Sequence, residues 1–351
     1  MRVLVAVLNW GLGHATRCMP IINALLSQGA EVHLASDGRA GRLLCQEFPT
    51  LPYYELPAYN IHYKTANMLW NIGWQMPRIA RTVYKEYKVI RRLAAHKRFD
   101  LLISDNRFGC RIPGVRNVFM THQVNIQIPI RLLEWIVGKF NRAFIQPFDV
   151  LWIPDVAALP GLAGRLSHGG VPSKAVYLGP LSRFVPIDCE PRYDIIAILS
   201  GPEPQRSFFE EKILSQAVES DYRMLVVKGQ TELEEHYFLT EKVELVSYLN
   251  AKALNEAIAR SRLVLSRPGY STVMDLSVLG KKAILVPTPG QTEQEYLAEE
   301  LQRAGLFFRM TQADFHLEEA VRQAKRFSGF RMPLGEAGAL KKAVQALLAN
   351  E

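Results

Sequence analysis

The residues best suited to chemistry sit in two glycine-bearing loops. The first, Gly11-Leu12-Gly13-His14-Ala15-Thr16-Arg17, follows the apolar run Val3 to Leu8. Gly11 and Gly13 let backbone approach a ligand closely, and a helix beginning near Ala15 would offer N–H groups and the positive end of its dipole. His14, at the tip of this loop, is either a base for a hydroxyl or a water, or a helix-capping histidine bonded to backbone. Asp105 ends the apolar run Leu101 to Ser104 and either orients His14 or serves as a turn or cap aspartate. His122 follows the run ending at Met120 and either lines the same edge or has no direct role. The second loop, Ser266-Arg267-Pro268-Gly269-Tyr270-Ser271-Thr272, precedes a helix through Asp275 and Leu279. Gly269 permits close approach, Ser271, Thr272 and the first helical amides suit a diphosphate, and Asp275 suits a ribose diol. Beyond Pro287, Pro289 and Gly290 comes Gln291-Thr292-Glu293-Gln294-Glu295. Its amides and carboxylates either read sugar hydroxyls or cap the helix and face water.

Both loops need strands behind them. Val3 to Leu8 reads as a buried parallel strand, Ala15 to Gln28 as a helix closed by Gly29, and Val32 to Ser36 as the next strand, a βαβ opening. Further strands are expected at residues 100–104, 117–121, 150–153 and 175–178, with a helical stretch over 62–98. From Asp194 the pattern repeats, with strands at 195–199, 223–228, 243–246, 263–266 and 283–286. The Pro-rich stretch from Gly179 to Arg192 reads as a hinge. The expected fold is α/β, with two Rossmann-like, doubly wound parallel-sheet domains facing a central cleft. Residues 1–182 form the acceptor-side domain and 183–333 the donor-binding domain. A last helix within 334–351 is expected to pack back on the first domain.

Composition narrows the function. A chain of 351 residues is long enough for two cores, and 48% hydrophobic with 22% charged residues is ordinary for a globular protein. No apolar run is long enough to span a membrane, and the start does not read as a signal peptide, which points to the cytoplasm. The four cysteines have no metal-binding spacing, so neither disulfides nor a structural metal is expected. A net charge of +8 suits a phosphorylated substrate, an anionic membrane or nucleic acid. The chain carries no nucleic-acid-binding signature, so nucleic acid is not expected as a partner. The dinucleotide fingerprint asks for a third glycine where Arg17 stands and an acidic residue closing the second strand, for which Asp37 alone is available. The NAD pattern is therefore incomplete.

Taken together, these residues resemble the glycosyltransferases of the GT-B fold, specifically relatives of the lipid-II-forming UDP-N-acetylglucosaminyltransferases. Gly11-Leu12-Gly13-His14 looks like the family's first glycine loop, and Ser266 to Tyr296 like its donor-site signature. The resemblance implies a ribose contact at Asp275, where the family usually has Glu. It implies sugar contacts at Gln294 and Glu295, where the family has two Gln. Val246-Ser247-Tyr248-Leu249 corresponds to the uracil grip, with Tyr248 and Leu249 at its centre. Ser200 and Gly201 occupy the second glycine loop, and Arg183 resembles the hinge arginine near the donor phosphates. The implied reaction is inverting and metal-independent, with no cofactor beyond the nucleotide-sugar co-substrate. The donor is UDP-linked, an N-acetylhexosamine being the family's sugar, and the acceptor is a hydroxyl on a lipid-linked or cell-envelope glycan.

Three other readings use the same residues. A nucleotide-sugar hydrolase of this superfamily would aim water at the anomeric carbon, an epimerase shares the fold, and a non-catalytic nucleotide-sugar-binding regulator would not need His14 or Asp105. Residues 62–98 (Tyr63, Lys64, Met68, Leu69, Trp70, Trp74, Met76 and a series of Arg and Lys) read either as a helical pair with a basic solvated face or as weak peripheral membrane contact at the inner face of the plasma membrane.

Overall fold

The computed structural model describes residues 1–59, 68–127, 131–230, 234–330 and 338–349, with side chains from residue 75 onward in the helix that starts at Met68. The chain forms two compact units, Met1–Ser182 together with Gly335–Glu351, and Arg183–Leu334.

The first unit holds strands β1 (Arg2–Val7), β2 (Glu31–Ser36), β3 (Tyr53–Glu55), β4 (Leu101–Asp105), β5 (Arg116–Met120), β6 (Val150–Ile153) and β7 (Ala175–Tyr177). Its helices are α1 (Leu12–Ser27), α2 (Gly38–Glu47), α3 (Met68–His96) and α4 (Arg131–Ile145). The strands lie in the order β3-β2-β1-β4-β5-β6-β7, and every pairing is parallel. Val3 to Val7 and Leu101 to Ile103 are fully buried because helices cover both faces of the sheet. Leu4, Ala6 and Leu102 pack with Ile90 of α3 and with Phe99.

α1 starts at Leu12, earlier than the expected Ala15. Gly11, at φ +82°, turns the chain into the helix directly after β1, a conformation that side-chain-bearing residues rarely adopt. His14 therefore stands in the first turn of α1 and not at a loop tip. The last helix is described over Ala339–Leu348, and residues 334–337 and 350–351 of the expected span lie outside the described residues.

The second unit repeats the winding. Its strands are β8 (Tyr193–Ile198), β9 (Met224–Val227), β10 (His236–Phe238), β11 (Val243–Val246), β12 (Ser261–Ser266), β13 (Lys282–Leu285) and β14 (Phe308–Arg309). Its helices are α5 (Gln205–Ala217), α6 (Ala251–Ala259), α7 (Tyr270–Leu279), α8 (Thr292–Arg303) and α9 (Leu317–Ala324). The order is β10-β11-β9-β8-β12-β13-β14. The edge strand β10 runs antiparallel to β11, a departure from the all-parallel expectation. A short hairpin suffices for an antiparallel pair, whereas a parallel one needs a crossover. α10 (Ala339–Leu348) completes the first unit, where it packs against α1 and buries Val344 and Leu347.

Each sheet reverses its winding at one point, between β1 and β4 in the first unit and between β8 and β12 in the second. The carboxyl ends of those strands are where open α/β sheets bind ligands.

Candidate active site

In the first unit Val7, the last residue of β1, lies opposite Asp105, the last residue of β4. The first turn of α1 hangs over that edge, and His14 Nδ1 lies 2.8 Å from Asp105 Oδ2. Asp105 is fully buried. Burial alone would push its carboxyl up, but Arg17 and His14 against it bring it down to about 2. It is thus a carboxylate at neutral pH and can only accept. With the proton on Nδ1 the ring donates to Asp105 and the lone pair stands on Nε2, although Arg17 Nη2, a donor 2.9 Å away, also faces Nδ1. Burial first, then the Arg17 cation, lower the pKa of His14, while Asp105 opposes both. The ring is therefore neutral near pH 7, the state a base requires.

Arg17 was not legible as part of this site. It lies one turn beyond His14 on the same helical face and is buried. Its guanidinium grips Asp105 through Nη2 and, at 3.3 Å, through Nε. Nη1 donates to His122 Nδ1 at 3.1 Å. His122 is thereby joined to the His14–Asp105 pair through Arg17 and is itself buried. The signal that could have found Arg17 is the i, i+3 spacing from His14 in the first turns of a helix.

A second buried network stands beside the first. Arg107 is fully buried and donates through Nη2 to Asp37, through Nη1 to Glu86 at 2.9 Å and through Nε to the Val7 carbonyl at 2.8 Å. Asn9 donates to Asp37 at 3.1 Å, and the Tyr59 hydroxyl donates to Glu86 at 2.7 Å. Asp37 is the acidic residue at the end of β2 that a dinucleotide ribose would need. Here it is neutralised by Arg107, which counts further against the NAD pattern in this unit.

In the second unit β8 runs out into Ser200 and Gly201, both exposed. Gly201 has φ +108°, and a Cβ there would meet Thr288 Oγ1 at 3.4 Å. α7 starts after Gly269 with no side-chain cap, and its Val273 N–H donates to the Gly269 carbonyl at 3.0 Å. Ser271 and Thr272 therefore lie ahead of the first intrahelical bond, half-buried, with Asp275 also half-buried a turn further on. Gln294 Oε1 accepts from Thr288 N–H at 2.8 Å, and Glu295 Oε1 accepts from Gly290 N–H at 3.1 Å. Both side chains thus hold the turn before α8 through its backbone N–H groups. That leaves the Gln294 amide nitrogen as its group for a ligand. Tyr248 and Leu249 follow β11, half-buried.

Several buried donors in this unit have no hydrogen-bond partner, namely Nε and Nη1 of Arg183 and the hydroxyls of Ser266 and Thr288. Ser266 ends β12 and Thr288 follows β13, so these two hydroxyls lie at the carboxyl edge of the sheet. Arg267, missed in the sequence, braces that edge. It is buried, donates to the carbonyls of Val286 (2.9 Å) and Pro287 (3.0 Å), and stacks 4.2 Å over the Phe209 ring. Burial lowers its pKa to about 10.

Of the stretch 62–98, Tyr63 and Lys64 lie outside the described residues, as do the side chains of Met68, Leu69, Trp70 and Trp74. The described part is a single helix rather than a pair. Ile90 and Glu86 are buried, and Arg78, Arg81, Lys85, Lys88 and Arg92 are exposed. Among the described residues no helix is long and apolar enough to cross a membrane.

Residues 206–345 match the glycosyltransferase family 28 C-terminal domain. An "uncharacterized glycosyltransferase" of Methanosarcina mazei is 22% identical over 330 residues, which cover 87% of this chain and 84% of the relative. The UDP-N-acetylglucosamine–N-acetylmuramyl-(pentapeptide) pyrophosphoryl-undecaprenol N-acetylglucosamine transferase of Allorhizobium ampelinum is 24% identical over 303 residues, covering 82% of this chain and 75% of the relative. Among solved structures, spinosyn rhamnosyltransferase SpnG complexed with thymidine diphosphate superposes with a TM-score of 0.64 at 14% identity, covering 99% of this chain and 96% of that one. Two Rossmann-like units of this winding form the GT-B fold shared with this solved glycosyltransferase. In sequence the chain is similar to N-acetylglucosaminyltransferases of the MurG type, as the Allorhizobium relative illustrates.

Proposed function

We propose that the protein is an inverting, metal-independent glycosyltransferase that moves a sugar from a UDP-sugar, an N-acetylhexosamine by likeness to the Allorhizobium relative, to an acceptor hydroxyl. The observation that carries this reading is the pairing of His14 with Asp105 at the strand edge, with Nδ1 anchored and Nε2 bearing the lone pair. In the proposed step Nε2 takes the acceptor proton as the acceptor oxygen bonds to the anomeric carbon. The bond from that carbon to the phosphate oxygen breaks, and the electron pair leaves with the nucleoside diphosphate. Asp105 stabilises the imidazolium, and Arg17 keeps Asp105 ionised. Gly11 and Gly13 admit the acceptor close to backbone, and His122 belongs to the same acceptor side.

The developing charge on the diphosphate falls to groups of the second unit. These are the amino end of α7 with Ser271 and Thr272, the backbone at Ser200, Gly201 and Gly269, and Arg183. The buried Arg183 nitrogens without partners support that role, because an anion is the ligand such donors accept. Asp275 is assigned to the ribose, Tyr248 and Leu249 to the base, and Gln294 and Glu295 to the sugar. A lipid-linked acceptor, as in the name of the Allorhizobium relative, would put the reaction at the inner face of the plasma membrane.

A thermal-shift panel tests the donor assignment, since a ligand that binds only the folded state raises the melting temperature by mass action. UDP or a UDP-sugar at about 100 times its Kd should stabilise the protein by about 2.7 kcal/mol, and Asp275→Ala should abolish the shift. A larger shift with thymidine than with uridine diphosphate would overturn the choice of base. No shift with any nucleoside diphosphate would overturn the transferase reading.

A further inference from the structure

Thr288 is 2% exposed, and its hydroxyl has no hydrogen-bond partner among the described residues. A hydroxyl taken out of water without a partner is costly, so a fold keeps one only where something else uses it. Thr288 follows β13 at the carboxyl edge of the second sheet, beside the strands where the winding reverses. Its own N–H is committed to Gln294 Oε1 at 2.8 Å. That bond ties Thr288 to the Gln294 carboxamide, so a free hydroxyl and an amide nitrogen belong to one turn.

The hydroxyl has an opening beside it. Gly201 is exposed in the turn after β8. A Cβ at Gly201 would lie 3.4 Å from Thr288 Oγ1 and within 4 Å of nothing else beyond its chain neighbours. A ligand atom that enters on the Gly201 side therefore comes within hydrogen-bond reach of Oγ1. Among the described residues no glycine leaves a comparable opening beside the other unpaired hydroxyl of this edge, that of Ser266.

The chemistry of the group selects the ligand. A diphosphate is charged and offers only acceptors, so cations and N–H donors match it best. Thr288 brings a neutral group that both donates and accepts, the complement of a sugar hydroxyl. We propose that Thr288 is a specificity-determining residue for the donor sugar, its hydroxyl bonding a pyranose hydroxyl that enters beside Gly201. This role rests on the glycosyl-transfer reading and adds to it a contact that tells a nucleotide sugar from the bare nucleotide.

Isothermal titration of the full chain with UDP, UDP-N-acetylglucosamine, UDP-glucose and UDP-galactose tests it. Thr288→Val keeps the shape and removes the hydroxyl. It should weaken the conjugate that the wild type binds best by about tenfold and leave UDP affinity within about twofold. Thr288→Ser should restore most of the loss, because the hydroxyl returns. Free of ligand, Thr288→Val should melt about 2 °C above wild type, since a methyl replaces an unpaired buried hydroxyl. A hydroxyl that serves the fold alone would do the reverse, lowering the melting temperature with sugar affinity unchanged, and would overturn the assignment. So would a Thr288→Val protein that loses UDP and its conjugates equally, or a wild type that binds UDP but none of the conjugates. Wild-type protein that binds no nucleoside diphosphate sinks the transfer reading and this role with it. Conjugate binding that persists undiminished in Thr288→Val strikes Thr288 alone.

Discussion

Replacing His14 by alanine should lower kcat by about 10²–10⁴-fold, the range that general-base catalysis contributes, and leave the UDP-induced thermal shift as it was. The split matters because His14 belongs to the first unit and the proposed donor contacts to the second, so a base substitution should not touch donor affinity. The pH profile makes the prediction sharper. Burial and Arg17 lower the His14 pKa below its ordinary 6.5. A base must be unprotonated, so the wild-type rate should rise as pH climbs through that lowered value and be level by neutrality. The acidic limb should vanish in His14→Ala. Near-wild-type turnover, or a limb that survives in the variant, would remove His14 from the mechanism. A thermal shift lost along with turnover would instead mean that the substitution disturbs the fold.

Replacing Arg107 by leucine should destabilise the protein by about 3–5 kcal/mol, because it leaves the Asp37 carboxylate buried without its cation and Glu86, whose pKa burial raises to about 8, without one of its hydrogen-bond donors. Arg107 and Glu86 are fully buried and Asp37 nearly so, so water cannot substitute for the lost partner. Denaturant unfolding followed by circular dichroism would measure the effect. A loss within about 0.5 kcal/mol, the range of ordinary surface changes, would show that the network does not hold the strand ends together. The contrast with His14 is informative. One residue is predicted to matter for turnover and little for stability, the other for stability first, although both stand at the same edge of one sheet.

What the sequence made legible follows from where the information lies. Asp105 ends a buried strand, Ser200 and Gly269 follow one within three residues, and His14 stands in the helical turn that follows another, and a run of apolar residues marks such a strand locally. The end of the run then places them at the ligand-binding edge. The buried arginines Arg17, Arg107 and Arg267 had no such mark. Arg17 meets Asp105 across 88 positions, Arg107 meets Asp37 across 70, and Arg267 is held by carbonyls of another loop. A charged residue read locally belongs in water, and only tertiary partners reverse that expectation. Short edge strands such as β3 and β14 have too few residues to show a period, and α2 is half polar. Gln294 and Glu295 read as sugar contacts or caps, and the geometry shows them bonded to backbone N–H groups of the turn ahead of α8.

The packing of α10 on α1 has a consequence for biosynthesis. The second unit is one uninterrupted span, Arg183–Leu334, and has all of its own strands once that span has been translated. The first unit is finished only when α10 emerges, because Val344 and Leu347 are part of its interior. The amino-terminal half must therefore wait, with the α10-facing surface of α1 uncovered, while roughly 150 intervening residues are made at about 5–20 per second. Released chains ending before α10 should expose that surface to chaperones, whereas the released full chain should not.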